Sequence, residues 1–273
     1  MIQRPDWQAL LFVPVGAERH LASAILHRPD AVILDLEDAV APDAKAAARI
    51  VGRAAQSQLA EAGIDCVLRV NGAIRAMVED LNAADHSLLQ AVMVPKCEDA
   101  HPLRNAADLT DGAIGLIALV ESPAGLQRLT EIAAVPQVVA LMLGSEDCSA
   151  ALGVDPDRGA LDLIAAQLAV AAAPRGLIPI GFPGSIANFR DLERIAFNLD
   201  QIAGNPRQAS HWEYCVLRSR FAIRGSGCPG NRVRLAKGMQ LNASRSRATN
   251  LWLPNPALAR HPALCKPAAR VAG

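Results

Sequence analysis

The chain is 273 residues long and about half apolar, with 27 Lys+Arg balancing 27 Asp+Glu. Such a chain can bury the core of one large domain, and the lack of any uncharged apolar run of eighteen residues excludes a membrane-spanning helix. Its six cysteines are scattered without a CxxC pair, which argues against a zinc site or disulfide framework and fits reduced thiols.

The opening stretch, MIQRPDWQALLFVP, lacks the long apolar segment and small-residue cleavage site of a signal peptide, so the expected location is cytoplasmic. Leu10–Val13 is the first of seven short apolar runs. The others are Ala31–Leu36, Cys66–Val70, Ala91–Val94, Gly115–Val120, Val138–Leu143 and Leu177–Ile180. They are continuous rather than alternating and rich in Val, Ile and Leu, as strands buried on both faces of a parallel sheet are. Between them, Ala44–Ala62 and Gly125–Ala134 space their apolar residues three and four apart and predict helices. Strand alternating with helix predicts an α/β fold. A GxGxxG after the first strand would favour a doubly wound sheet, and there is none. Instead nearly every run ends in polar groups: Asp35, Glu37 and Asp38; Arg69 and Asn71; Lys96 and Glu98; Glu121 and Ser122; Glu146 and Asp147. Strand C-termini converge on one mouth in a (β/α)8 barrel, so the expected fold is of the TIM (β/α)8 type, incomplete at its eighth strand.

Glu121 and Asp147 follow adjacent strands, and two carboxylates brought together there make a small, hard oxygen site suited to Mg2+. The alternative is that each acid caps the helix that follows it. Arg69 at a barrel mouth either grips a substrate carboxylate with two parallel hydrogen bonds or forms a salt bridge with a neighbouring acid. The backbone N–H groups of Ser145 and Glu146, at the start of a helix, suit a further carboxylate oxygen. Pro14-Val15-Gly16 forms an open turn that a phosphate-bearing cofactor could pass.

The stretch LLFVPVGAERHLASAILHRPDAVILDLEDAVAPDAKAAAR resembles the opening of the citrate lyase β-subunit family within the HpcH/HpaI aldolase superfamily. LRVNG, VMVPKCEDA, LVESPAGL and LMLGSEDCSAALG follow in that family's order and spacing, and the agreement covers residues 9–195. The resemblance implies a TIM barrel that assembles as homotrimers or hexamers. It also implies cleavage or formation of a C–C bond β to a CoA thioester, with citryl-, malyl- and citramalyl-CoA among the substrates. Carried onto this sequence, Glu121 and Asp147 match the Mg2+ ligands, and Arg69 matches the arginine that holds the substrate carboxylate. The Ser145 and Glu146 backbone matches the oxoacid contact, and Asp38 and Glu37 match the catalytic acidic cluster near the metal's waters. The runner-up within the superfamily is a CoA-independent, pyruvate-type class II aldolase, which relies on a histidine base. His20, His27, His86 and His101 sit in or beside helical stretches, which disfavours it. A catalytically impaired oxoacid- and metal-binding barrel is the non-enzymatic reading.

Charge divides the chain. Residues 1–200 hold 15 Lys+Arg against 26 Asp+Glu, whereas residues 201–273 hold 12 against one, Glu213. The expected organisation is a barrel over residues 1–200 and a divergent basic tail over 201–273. The family continues with an eighth strand, a Gly…IHP-type motif and an aspartate that reaches a neighbouring subunit; none is recognisable here. Tyr214–Leu217 is the one substitute strand. Three readings of the tail stand: frameshifted text, a lobe meeting CoA phosphates through Arg232, Arg234 and Lys237, or an arm for nucleic acid or an acidic partner. Stacking aromatics are sparse there, which disfavours nucleic acid.

Overall fold

All seven apolar runs form strands, because a continuous Val/Ile/Leu stretch of this length is satisfied only by cover on both faces. The computed structural model describes Trp7, residues 9–157 and 159–181, and four short strand segments beyond residue 215. The strands are β1 (Leu10–Pro14), β2 (Ala31–Asp35), β3 (Asp65–Arg69), β4 (Ala91–Val94), β5 (Gly115–Val120), β6 (Val138–Leu143) and β7 (Ile178–Ile180). Every residue of β2, β4, β5 and β6 is buried. An eighth strand, β8 (Val216–Arg218), pairs in parallel with β1 and shares Val216 and Leu217 with the Tyr214–Leu217 expected from sequence. The sheet runs β7-β6-β5-β4-β3-β2-β1-β8, and all of its pairings are parallel. Apart from β8 and a small antiparallel sheet of Ile223–Arg224, Arg234–Leu235 and Met239–Gln240, the tail lies outside the described residues. The tail readings lie there with it.

Two apolar clusters flank the sheet, and they take alternate residues of the same strands. Leu11, Val32, Leu68, Val92, Ala118 and Leu141 face the helices. Leu10, Ile33, Val67, Met93, Ile117, Met142 and Ile180 belong to the other cluster, to which no helix among the described residues contributes. Seven strands therefore bury this face among themselves, which requires the sheet to curl. The result is a curled parallel α/β sheet of the TIM-barrel kind.

The helices α1 (Glu18–His27), α2 (Lys45–Glu61), α3 (Ile74–Ala83) and α4 (His101–Leu109) link the first five strands. In α2 the buried residues Ala48, Gly52, Ala55, Gln56 and Leu59 lie on one face, and Gly63, at φ +66°, follows its end. The single helix expected over Gly125–Ala134 is two: α5 (Pro123–Gln127) and α6 (Leu129–Ala133), separated at Arg128. A Cβ on Gly125 would lie 2.3 Å from the Cys97 carbonyl oxygen. That close approach seats α5 against the β4–α4 connection, a tertiary constraint that periodicity does not report. Next come α7 (Ser145–Leu152) and α8 (Ala160–Ala172). Among the described residues Cys66, Cys97 and Cys148 are buried and unpaired, and no helix is long and apolar enough to cross a membrane.

Candidate active site

The inward phase of each strand continues past its last apolar residue into charged ones. Ala31 and Ile33 lead to Asp35 and Glu37, Val67 leads to Arg69, and Ile117 and Leu119 lead to Glu121. The side chains that line the curled face thus give way to a polar cluster at the strand C-termini, where TIM-type barrels carry their sites.

Register assembles the centre of this cluster, since β2–β3 pairing sets Asp35 opposite Arg69. Arg69 donates from Nε to Asp35 Oδ1 at 2.8 Å and from Nη2 to Asp35 Oδ2 at 2.6 Å, a two-pronged fork. Its guanidinium carbon sits 5.2 Å from the centre of the Phe12 ring on β1, within cation–π range. The salt-bridge reading of Arg69 is therefore present in the structure, and two of its three nitrogens are committed to Asp35. The third, Nη1, lies 3.1 Å from Glu37 Oε2 and 3.9 Å from Asp38 Oδ2. Glu37 Oε2 is buried yet lacks an aligned hydrogen bond, so the 3.1 Å contact is an ion pair without good donor geometry.

Lys96, just past β4, joins the two halves of the cluster. Its Nζ donates to Glu37 Oε1 at 2.6 Å and lies 3.5 Å from Asp38, while its backbone N–H donates to Glu121 Oε1 at 2.8 Å. Its φ is +53°, a left-handed conformation that residues with a side chain seldom adopt. Glu121 is not a helix cap: Ser122 caps α5 through Gly125 N–H. Instead Glu121 is buried against the start of α7, where a Cβ on Gly144 would lie 2.7 Å from Glu121 Oε2. Asp147 is exposed in the first turn of α7, near enough for its charge to act on Glu121. Ser145 is buried at the start of the same helix, with Glu146 half-buried beside it.

Burial, then the charges of Asp147 and Glu37, push the Glu121 carboxyl up to about 7, against the opposing pull of the Lys96 N–H and Arg69. Burial also raises Glu37, helped by Asp38 and opposed by Lys96 and Arg69. A raised carboxyl holds a proton in the fold that the unfolded chain releases above its ordinary value near 4.5. This group's contribution is therefore full below pH 4.5 and is lost as pH rises through about 7. Metal-free protein is expected to lose roughly 2–3 kcal/mol of stability to Glu121 across that window. Urea titrations from pH 4.5 to 7.5 check this: the wild type should weaken relative to Glu121→Gln, and parallel profiles would contradict it.

Further supports hold the β2–α2 connection. Lys45 Nζ donates to the carbonyls of Leu36 and Glu37 at 2.7 and 2.9 Å. The buried Asp80 carboxylate accepts from Asn71 N and Nδ2, both at 2.7 Å, and from Arg49 Nε at 2.8 Å. A cavity of about 630 Å3 opens here, lined by Glu37, Asp38, Lys45, Asn71, Pro95 and Lys96 among others. His27 and His86 bond locally, to the Ser23 and Leu81 carbonyls, and not to the cluster. The turn at Val15 and Gly16 is tied to β2 by Val15 N–H donating to the Asp35 carbonyl at 3.1 Å.

The structure thus brings Glu37, Asp38, Arg69 and Glu121 together, with Asp147 acting on Glu121. Asp35 and Lys96 were named from sequence as polar groups at strand ends, and a salt bridge of Arg69 to a neighbouring acid was one of its two readings; which acid it meets, and the bridging role of Lys96, were not assigned.

The sequence model of HpcH/HpaI aldolase/citrate lyase matches residues 8–178. The chain belongs to this family. It is 30% identical over 202 residues to a (3S)-malyl-CoA thioesterase of Cereibacter sphaeroides, covering 73% of this chain and 70% of the relative. It is 29% identical over 181 residues to the citrate lyase subunit beta of Haemophilus influenzae, covering 62% of each. Among solved structures, protein CitE of Mycobacterium tuberculosis in complex with magnesium and pyruvate has a TM-score of 0.64 at 26% identity, covering 80% of this chain and 87% of that one. The same protein with magnesium, acetoacetate and coenzyme A has a TM-score of 0.60 at 27% identity, covering 80% of this chain and 78% of that one.

Proposed function

We propose that this family member is a Mg2+-dependent carbon–carbon lyase. Its substrate would be a 3-hydroxyacyl-CoA thioester of the citryl-, malyl- or citramalyl-CoA type, and its products an acyl-CoA and a 2-oxoacid. The observation that carries the reading is the buried Glu121, crowded by Asp147 and Glu37 beside Arg69. A buried carboxylate within the field of two others suits a small divalent cation, which relieves the repulsion. Among the described residues no three His, Cys, Asp or Glu form a metal cluster. Mg2+ does not require one, since it binds through one or two carboxylates and leaves its other positions to water and substrate oxygens. Glu37 Oε2, buried without an aligned donor, suits a metal-bound water. The CitE structures with magnesium and pyruvate, or with magnesium, acetoacetate and coenzyme A, support the same assignment.

In this reading Glu121 and Asp147 hold the metal, and Ser145 and Glu146 meet the oxoacid through their backbone. When bound, Mg2+ would supply electrostatic stabilisation of the oxoacid oxygens as charge develops on them. Arg69 orients the substrate carboxylate through Nη1, its other two nitrogens being anchored on Asp35. Fixing the carboxylate fixes the C–C bond against the charged groups, which lowers the orientational cost of reaction. Glu37, whose carboxyl is raised by burial, and the half-exposed Asp38 are the carboxylates to carry the hydroxyl proton. The wider reading is a cytoplasmic homo-oligomer whose partners are small CoA thioesters and oxoacids.

The relatives named (3S)-malyl-CoA thioesterase favour a second reading, hydrolysis of the thioester in the same site. One experiment separates the two. The purified chain with Mg2+ is given citryl-, malyl- and citramalyl-CoA in turn, and oxoacid and free thiol are followed together. Lyase activity releases oxoacid without thiol, and it is expected to vanish with EDTA and in Glu121→Ala. Thiol release with a hydroxyacid product would replace lyase by thioesterase. Oxoacid binding without turnover would leave an impaired barrel, and turnover of a CoA-free substrate would favour the pyruvate-type aldolase.

A further inference from the structure

Lys96 is the residue whose geometry the proposed reaction leaves unused. It adopts a left-handed backbone, at φ +53°, where glycine would sit without strain, yet it carries a long side chain. That backbone aims its N–H at Glu121 Oε1 while the side chain crosses to Glu37 Oε1, at 2.8 and 2.6 Å. Glu37 is buried and, among the described residues, has one other cation to turn to, Arg69 Nη1, which stands 3.1 Å from Oε2 without hydrogen-bond alignment.

We propose that Lys96 is a positioning residue that holds Glu37 off Arg69, so that the Nη1 edge of the guanidinium stays open to the carboxylate of an oxoacid. The inference rests on the reading of Arg69 as the carboxylate-binding group. Asp35 already holds Arg69 Nε and Nη2, so Nη1 is the one nitrogen whose alignment is undecided between Glu37 and a ligand. Without the ammonium, Glu37 gains most by rotating into an aligned bond with Nη1, and an incoming carboxylate must then displace a buried anion. Asp38 is placed differently. It is about half exposed and 3.9 Å from Nη1, so it competes far less.

The test uses the full chain, with Mg2+ and then pyruvate titrated calorimetrically. Lys96→Gly keeps the backbone N–H that Glu121 accepts and relaxes the left-handed position, so it removes the side chain alone. In that variant pyruvate affinity in the presence of Mg2+ is expected to fall about 10-fold or more, while Mg2+ affinity moves less than about 3-fold. Adding Glu37→Gln to Lys96→Gly should restore pyruvate binding, because the competitor for Nη1 is disarmed. Adding Asp38→Asn, which makes the same change in net charge, should not. Lys96→Arg, which keeps a cation in reach of Glu37, should bind close to wild type. The proposal is overturned if Lys96→Gly binds pyruvate normally. It is overturned equally if Asp38→Asn rescues as well as Glu37→Gln, since Lys96 would then act through net charge alone. A wild type that binds no pyruvate with Mg2+ present would instead sink the reading of Arg69 on which the proposal stands.

Discussion

Replacing Gly144 by alanine is expected to cost the chain its divalent-cation binding while leaving the curled sheet and its helices folded. The added Cβ would stand 2.7 Å from both Glu121 Cβ and Glu121 Oε2, and 3.4 Å from Leu119 Cδ1. Leu119 can give by a few tenths of an ångström. Glu121 Cβ cannot, because it is fixed to the end of β5, so either the start of α7 or the carboxylate has to move. Moving either separates Glu121 from the Lys96 N–H that aligns it and shifts Asp147 on α7. Gly144 itself has φ −85°, so backbone conformation is not the reason for glycine here. The close approach is. Disturbing the supports of a metal ligand weakens binding about 10–100-fold, and shifting both proposed ligands, Glu121 and Asp147, at once puts Gly144→Ala at the upper end. Overpacking costs about 1–3 kcal/mol of stability, less than a domain of this size has in hand. Calorimetric titration with Mg2+ or Mn2+, alongside circular dichroism, checks both parts. Wild-type affinity in Gly144→Ala would show that the Glu121–Gly144 contact does not govern the metal.

The largest stability effect is expected at Arg69. Its side chain is 8% exposed, and those of Asp35 and Glu37 are 3% and 6% exposed. Arg69→Leu would leave two buried carboxylates with the half-exposed Lys96 as the remaining cation at hydrogen-bond distance. Breaking a buried ion pair from one side costs about 3–5 kcal/mol, chiefly through the charge left behind. The urea midpoint should fall accordingly, and Arg69→Lys should recover little, since an ammonium cannot reproduce the fork onto Asp35. Adding Asp35→Asn to Arg69→Leu should recover much of the loss. If the double variant is as unstable as the single one, packing against Phe12 rather than charge pairing is what Arg69 supplies.

Much of this was legible in the residues. The seven strands agree with the seven apolar runs to within one or two residues, because burial on both faces leaves no polar alternation to blur their ends. Glu121, Asp147 and Arg69 could be named because each follows or ends a run, and strand ends converge in a barrel. What stayed hidden depends on contacts between distant segments. Whether Arg69 meets a substrate or Asp35 turns on β2–β3 register, and the structure pairs it with Asp35. The break at Arg128 accompanies a close approach of Gly125 to Cys97 that no local pattern marks. The left-handed turn at Lys96 is equally silent, since lysine carries no propensity for it. Asp80 reads as an ordinary helical acid until Arg49 and Asn71 are seen to converge on it.

The order of the sheet also bears on how the chain reaches this state. Each strand from β1 to β6 pairs with its immediate successor across a connection of one or two helices, so each of these pairings closes a short loop. The sheet can therefore zip from the N-terminus as the polypeptide leaves the ribosome. Every residue of the acid–arginine cluster is in place once Asp147 has emerged. The β1–β8 pairing must wait for residue 216, which makes it the contact of greatest sequence separation in the main sheet and the slowest to form.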